Sequence, residues 1–279
     1  MTELIESTDG VQVALHDLGG DGPPLLFLHA TGFHGRCYRT IADHLRGHFH
    51  VWAPDLRGHG DSVTPDMALP WSGMADDAVA VIDRLRAAGQ LPGGEPIRAC
   101  GHSMGGAAVL NVELRHPGTI RAAWLYEPIA FPAAGIPVSA SNPMAEAARR
   151  RRDHFDSVDA AIERLTGRGP FADVVPEALR DYVEHGFRPD GDGITLKSSG
   201  EVEARVFEGI DLDLFDRLPE IGIDVTIVGS GDGGNPAQIA PLIAEALPHG
   251  RLDLWPDRSH SGPFEDPSRA ATAIIAALA

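Results

Sequence analysis

The stretch "RACGHSMGGAAVL", Arg98 to Leu110, sets a serine between glycines. It follows an apolar run and precedes a segment of small residues with helical spacing. A strand that turns sharply into a helix forces unfavourable backbone geometry on the residue at the bend. Gly101 and Gly105 supply clearance there, and the Ser103 hydroxyl is left exposed. The helix that starts beside it offers free backbone N–H groups to developing negative charge. Ser103 therefore reads as a nucleophile, with Met104 N–H as an oxyanion donor. An ordinary helix cap is the plainer reading of the same serine.

The surrounding chain has the rhythm such a turn needs. "PLLFLHA" (24–30), "FHVWAPD" (49–55) and "PIRACGH" (96–102) read as buried strands. "YRTIADHLRG", "MADDAVAVIDRLRAAG" and "MGGAAVLNVELRHP" read as helices between and after them. "RAAWLYEP", "DVTIVGSGD" and "RLDLWPD" are three further strands, and "DPSRAATAIIAALA" is a closing helix begun by Asp-Pro. Strands alternating with helical crossovers predict an α/β fold, with a mainly parallel sheet covered on both faces. The opening "LIESTDGVQVALHDLG" predicts an antiparallel hairpin that turns at Asp9-Gly10. The rhythm breaks between about Phe131 and Phe215. There "FPAAGIPVSASNP" reads as a loop, and helical stretches follow at "MAEAARRRRDHFDSVDAAIERLTG", "PEALRDYVEHGF" and "EVEARVFEGI". The turn-rich "RPDGDGITLKSSG" lies between the last two. An insertion of this kind is expected to be a lid or cap over the sheet edge. The expected division is a core of residues 1–130 and 216–279 with a cap of 131–215.

Composition narrows the partners. With 279 residues and 43% hydrophobic content the chain can bury a large core. A net charge of −17 repels nucleic acid and anionic membranes. The one basic run, "RRRR" at 149–152, reads mainly as a solvated helix face, with a local contact surface as the alternative. Two cysteines, Cys37 and Cys100, make neither a disulfide framework nor a zinc cluster. The first residues lack a secretory signal, and no apolar run has the length of a membrane span. The expectation is a soluble cytoplasmic protein acting on a small molecule, with no nucleic-acid or membrane partner. Oligomeric state, including a homo-oligomer, stays open.

A serine nucleophile needs a base and an orienting carboxylate. His260, in "PDRSHSGPFEDP" between the last strand and the closing helix, can reach the edge where Ser103 emerges. Two carboxylates compete for its other side. Asp232 follows "VTIVGSG" at one strand end and is the favoured acid; Glu127 ends the earlier strand in "WLYEP" and is the alternative. The second oxyanion donor is expected from the loop after "LLFLHA", at Thr31 N–H. His29 is expected to fix that loop by hydrogen bonding, and His102 to shape the elbow rather than act as base. In "PDLRGHGDS", Asp55, Arg57 and His59 are expected to pin a sharp turn, while Asp61 and Ser62 orient the following segment.

Together these motifs resemble the α/β-hydrolase superfamily. "HATGFHG" is similar to its oxyanion loop, "DLRGHGDS" to its second signature and "GHSMGG" to its nucleophile elbow. "GSGDGGNP" resembles its acid-bearing loop and "RSHSGPFEDP" its histidine loop. The resemblance implies an eight-stranded, mostly parallel sheet with a mainly helical cap and a Ser-His-acid triad. It implies no metal and no organic cofactor. Within it, Ser103 is the nucleophile and His260 the base, and the acid is Asp232, with Glu127 kept because some members place the acid on the earlier strand. Where the family has His-Gly in the oxyanion loop this chain has His29-Ala30. Serine at the elbow sets the chain apart from dehalogenases and epoxide hydrolases, which use aspartate there.

The reaction so implied is hydrolysis of a small, hydrophobic ester or lactone through an acyl-enzyme. Carbon-carbon bond hydrolysis and cofactor-free perhydrolysis are alternatives on the same fold, as is a noncatalytic small-molecule receptor. Phe131, Phe155, Phe171, Tyr182, Phe187 and Phe207 are candidates for the cap's pocket lining, against a plain packing role.

Overall fold

The computed structural model describes residues 2–132 and 142–279. The expected loop at 131–143 therefore lies mostly outside the described residues. The hairpin forms as the sequence predicts. Strand β1 (Thr2–Glu6) pairs antiparallel with β2 (Gln12–Gly19), and between them Asp9 and Gly10 take φ of 61° and 76°. The strand–helix alternation then runs β3 (Pro24–Leu28), α1 (Arg39–Leu45), β4 (His50–Asp55), α2 (Trp71–Ala87), β5 (Ile97–His102), α3 (Met104–Arg115) and β6 (Ile120–Tyr126).

After β6 the chain leaves the sheet. The excursion holds α4 (Pro143–Arg149), β7 (His154–Phe155), α5 (Val158–Leu165), α6 (Pro176–Gly186), β8 (Phe187–Asp190), β9 (Gly193–Leu196) and α7 (Gly200–Glu208). It returns through α8 (Leu214–Arg217) to β10 (Asp224–Ser230), α9 (Asn235–Ala246), β11 (Gly250–Trp255), α10 (Gly262–Glu265) and α11 (Pro267–Leu278). The inserted region is mainly helical, as expected of a cap, but two local readings change. "MAEAARRRRDHFDSVDAAIERLTG" is not continuously helical. Its first helix ends at Arg149, and a second begins only after Ser157, whose hydroxyl accepts from Ala160 N–H. The turn-rich "RPDGDGITLKSSG" contains most of a β-hairpin, and β7, β9 and β8 form a small antiparallel sheet.

The main sheet has eight strands in the order β1-β2-β4-β3-β5-β6-β10-β11, parallel from β4 onward. Apolar residues cover both faces. On one, α2, α3 and α9 bury Met74, Val81, Val109 and Ile243; on the other, α1 and α11 bury Ile41, Leu45 and Ile274. Each such side chain removed from water is worth roughly 1.5–3 kcal/mol, so the two layers hold the sheet rigid. The chain winds outward from β3 to β4, then crosses back to β5 on the other side of β3. That reversal opens a crevice at the carboxyl ends of β3 and β5, where a doubly wound sheet binds ligands.

Candidate active site

Ser103 is the last residue before α3, at φ 55° and ψ −116°. A non-glycine residue held there stores on the order of 1–3 kcal/mol of strain, which the neighbours must over-determine. They do so by close approach. A Cβ on Gly105 would lie 2.2 Å from Leu28 O, and one on Gly101 2.6 Å from Gly106 Cα. Only glycine lets α3 settle this deeply between the ends of β3 and β5. Ser103 N–H donates to Tyr126 O at 2.9 Å, which ties the elbow to β6.

The loop after β3 is fixed by its histidines. His29 Nε2 accepts the N–H of Leu56 (2.9 Å), and its Nδ1–H donates to Ala30 O (2.8 Å). Burial, together with neighbouring His59, pushes the His29 imidazole down to about 3, so the neutral ring this pairing requires persists. Ala30 N–H donates to the Tyr38 hydroxyl (3.2 Å) and Gly32 N–H to His59 Nε2 (3.1 Å). Among the described residues, Thr31 N–H and Met104 N–H have no protein acceptor. These are the two donors that the sequence singles out.

The "DLRGHGDS" segment works as a structural pin. Arg57 is fully buried and grips Asp77 with two hydrogen bonds, Nε to Oδ2 at 3.0 Å and Nη2 to Oδ1 at 2.8 Å. Asp55 accepts Gly35 N–H and Asp61 N–H and meets His16 Nε2 at 2.9 Å. His16, Asp55 and Asp61 bring ligand atoms within 4.8 Å of one another. Each is already engaged, however, since Asp61 Oδ1 also meets Lys197 Nζ of the cap at 2.5 Å.

His260 follows β11, and the two contending carboxylates meet it at different atoms. Its Nδ1 lies 2.5 Å from Glu127 Oε2. Glu127 is completely buried at φ 43°, and its Oε1 accepts Ser230 N–H at 2.8 Å. Asp232 instead accepts the backbone N–H of His260 on Oδ2 (2.9 Å) and that of Gly234 on Oδ1 (2.8 Å). Partial burial alone would raise the Asp232 pKa, but these two N–H groups hold it below the usual carboxylate value. The carboxylate favoured from sequence thus sits on the main chain of the histidine loop, and the alternative sits on the ring.

His102 joins the loops. Its Nε2–H donates to His260 O (2.9 Å), and its Nδ1 accepts the Tyr38 hydroxyl (3.0 Å). Burial, with His260 close by, keeps it well below the usual histidine pKa. Tyr126 OH donates to Ser259 O at 2.7 Å, so two consecutive carbonyls of the histidine loop are held from the sheet.

Above this floor lies a cavity of about 680 Å³. Ser103, His260 and the 30–33 loop line it from below, and the cap lines it from above. Five of the six expected aromatics are in its wall. Phe187 is not; it packs behind, 5.7 Å from Phe155 and 6.2 Å from Tyr182 between ring centroids. The arginine tetrad divides. Arg149 and Arg150 form ion pairs with Glu201, Glu208 and Glu146, as a solvated helix end does, whereas Arg151 and Arg152 line the cavity. Arg164 and Arg168 line it as well and were not foreseen; only their placement in the cap hinted at it. Cys37 and Cys100 are buried free thiols. No helix among the described residues is long and apolar enough to cross a membrane.

Comparison with known proteins agrees with this architecture. A family model described as "Alpha/beta hydrolase family" matches residues 25–273. The chain is 30% identical over 257 residues to a pimeloyl-[acyl-carrier protein] methyl ester esterase of Chromobacterium violaceum, covering 88% of this chain and 89% of that protein. It is 23% identical over 209 residues to a 2-(acetamidomethylene)succinate hydrolase of Mesorhizobium japonicum, covering 75% of this chain and 70% of that protein. Among solved structures, an E-2-(acetamidomethylene)succinate hydrolase superposes with a TM-score of 0.80 at 20% identity, over 100% of this chain and 98% of that one.

Proposed function

Because the chain belongs to the alpha/beta hydrolase family, we propose that it is a serine hydrolase of small carboxylic esters or lactones. Ser103 is the nucleophile, His260 the base and Glu127 the acid. The observation that carries this reading is the buried Glu127 carboxylate on His260 Nδ1, beside a strained serine at the floor of the same cavity. Glu127 fixes the tautomer with the proton on Nδ1, which leaves Nε2 as the basic nitrogen. His260 takes the Ser103 proton as Oγ attacks the ester carbonyl, and Thr31 and Met104 N–H groups hold the oxyanion. Collapse of the intermediate breaks the acyl–oxygen bond, and His260 passes its proton to the leaving alcohol. Water, deprotonated by His260, then releases the acid and restores the serine. Asp232 positions the histidine loop, and residues 131–215 act as the cap that encloses the substrate. The similarity to the methyl ester esterase of Chromobacterium supports the substrate class.

A phosphonate probe tests the nucleophile. Wild-type protein should be modified once, at Ser103, with loss of turnover of a short nitrophenyl ester. Ser103→Ala should neither react nor turn over. Turnover that survives in Ser103→Ala would overturn the assignment.

A further inference from the structure

Among the described residues, four arginines line the cavity, Arg151, Arg152, Arg164 and Arg168, against a single carboxylate, Glu203. The chain as a whole is the reverse, with 40 acidic residues against 23 basic ones. In such a chain most arginines find a carboxylate, and Arg151 does: it pairs with Glu203, and its Nη2 donates to the Tyr182 hydroxyl at 2.7 Å. The other three differ. Among the described residues, no carboxylate oxygen lies within 4 Å of the guanidinium nitrogens of Arg152, Arg164 or Arg168. Arg152 is nevertheless held in place. Its Nε–H donates to His154 O at 2.7 Å, and its guanidinium lies over the Phe155 ring at 4.6 Å. A cation oriented in this way by backbone and ring loses little further freedom when it grips a ligand.

We propose that the cavity selects esters that carry a free carboxylate, bound by Arg152, Arg164 and Arg168. This rests on the hydrolase reading for its chemistry, but the charge selection is a property of the cavity itself. A guanidinium fork matches a carboxylate's two oxygens, and among the described residues no unpaired acidic side chain in the wall competes for it. The distant surface charge does not prevent entry. At physiological salt, fields are screened within about 8 Å, so the three nearby cations outweigh the acidic exterior. The rest of the wall is largely apolar, with Trp71, Ile129 and Phe131 among its members, and suits a hydrocarbon body. The substrate class is therefore an amphiphilic half-ester rather than a purely hydrophobic one.

The probes are mono-p-nitrophenyl suberate and its counterpart in which the free carboxyl is a primary amide. The wild type should show kcat/KM at least tenfold higher for the acid, and the advantage should shrink as salt is raised. In Arg164→Ala/Arg168→Ala and in Arg152→Ala the ratio should fall towards unity. A ratio at or below one in the wild type, or one preserved when all three arginines are removed, overturns the proposal. Binding supplies an independent readout. Ser103→Ala protein titrated with monomethyl suberate should bind it at least tenfold more tightly than the terminal-amide analogue. Tight, selective binding without wild-type turnover of either ester sinks the hydrolase reading and upholds the anion site. Equal turnover and equal binding of both probes do the opposite.

Discussion

Replacing Glu127 by glutamine separates the two carboxylates that approach His260. Glu127 uses both oxygens: Oε2 at His260 Nδ1 and Oε1 at Ser230 N–H. An amide in the same buried space cannot serve both. With its oxygen on Ser230 N–H, its NH₂ faces Nδ1 and stabilises the tautomer protonated on Nε2, which cannot accept the serine proton. With the amide flipped, the NH₂ confronts Ser230 N–H, and an unsatisfied buried donor costs about 1–3 kcal/mol. The first arrangement is thus favoured, and it is the unproductive one. Loss of the correct tautomer in a Ser-His-acid site lowers kcat by on the order of 10⁴, or roughly 5.5 kcal/mol of transition-state stabilisation. Asp232→Asn removes far less. Asparagine keeps one of the two backbone N–H bonds and loses the other at an exposed position, for about 0.5–1.5 kcal/mol and at most about tenfold in kcat. The assay is kcat and KM on a neutral nitrophenyl ester, with thermal unfolding to show that each variant is folded. A folded Glu127→Gln within tenfold of wild type, beside an Asp232→Asn that has lost a thousandfold, would refute this reasoning.

Other expectations concern the frame of the site. Gly105→Ala places a methyl 2.2 Å from Leu28 O, so it should cost at least the ~1–3 kcal/mol of ordinary overpacking and lower kcat by shifting the oxyanion loop; Gly222→Ala, with nothing within 4 Å, should stay within about 0.5 kcal/mol in the same denaturation series. Acid should destabilise the fold through its buried histidines. Burial holds His29 and His34 down to about 3 and about 4, against 6.5 when unfolded. Above pH 6.5 both states are neutral and stability is full. Below it only the unfolded chain gains protons, so stability falls by up to about 1.4 kcal/mol per pH unit for each histidine until the folded values are reached. Urea midpoints should therefore decline steadily from pH 6.5 to 4.5, and equal midpoints at pH 7 and pH 5 would contradict the neutral pairing of His29.

Most of the fold was legible because its signals are local. An apolar run as short as "PLLFLHA", bounded by Pro-Pro and a glycine-bearing loop, suits an inner strand buried on both faces, and the glycines beside Ser103 announce the elbow. The cap was less legible. "DHFDS" interrupts a segment of good helix formers, and the two residues of β7 are too few to show an alternating pattern. The choice between Asp232 and Glu127 was out of reach for a geometric reason. Both follow strands, but sheet register decides what each can touch. His102 pairs with Tyr126 across β5 and β6, so Ser103 and Glu127 leave adjacent strands at the same level. Asp232 lies two residues beyond the end of β10, on a loop that meets the histidine segment by its backbone. No local pattern encodes that offset.

The division of labour follows from where the stiffness lies. Ser103 and Glu127 stand just beyond the ends of β5 and β6, inner strands whose hydrogen bonds and two packed faces fix their backbones, whereas His260 lies on a loop five residues past β11. His102 and Tyr126 extend that rigidity to the histidine loop through the carbonyls of His260 and Ser259. His102 does this only as a neutral ring, because Nδ1 must accept from Tyr38 while Nε2 donates. The burial that lowers its pKa therefore also keeps the residue beside Ser103 from acting as a base there. The cavity's arginines come from a different source, the inserted helices and the turns between them. There a substitution changes the charge presented to a ligand without moving a strand end. On the proposed reading, selection and chemistry are thereby separable: substitutions in the cap should change which ester is accepted while the hydrogen bonds around His260 keep their register.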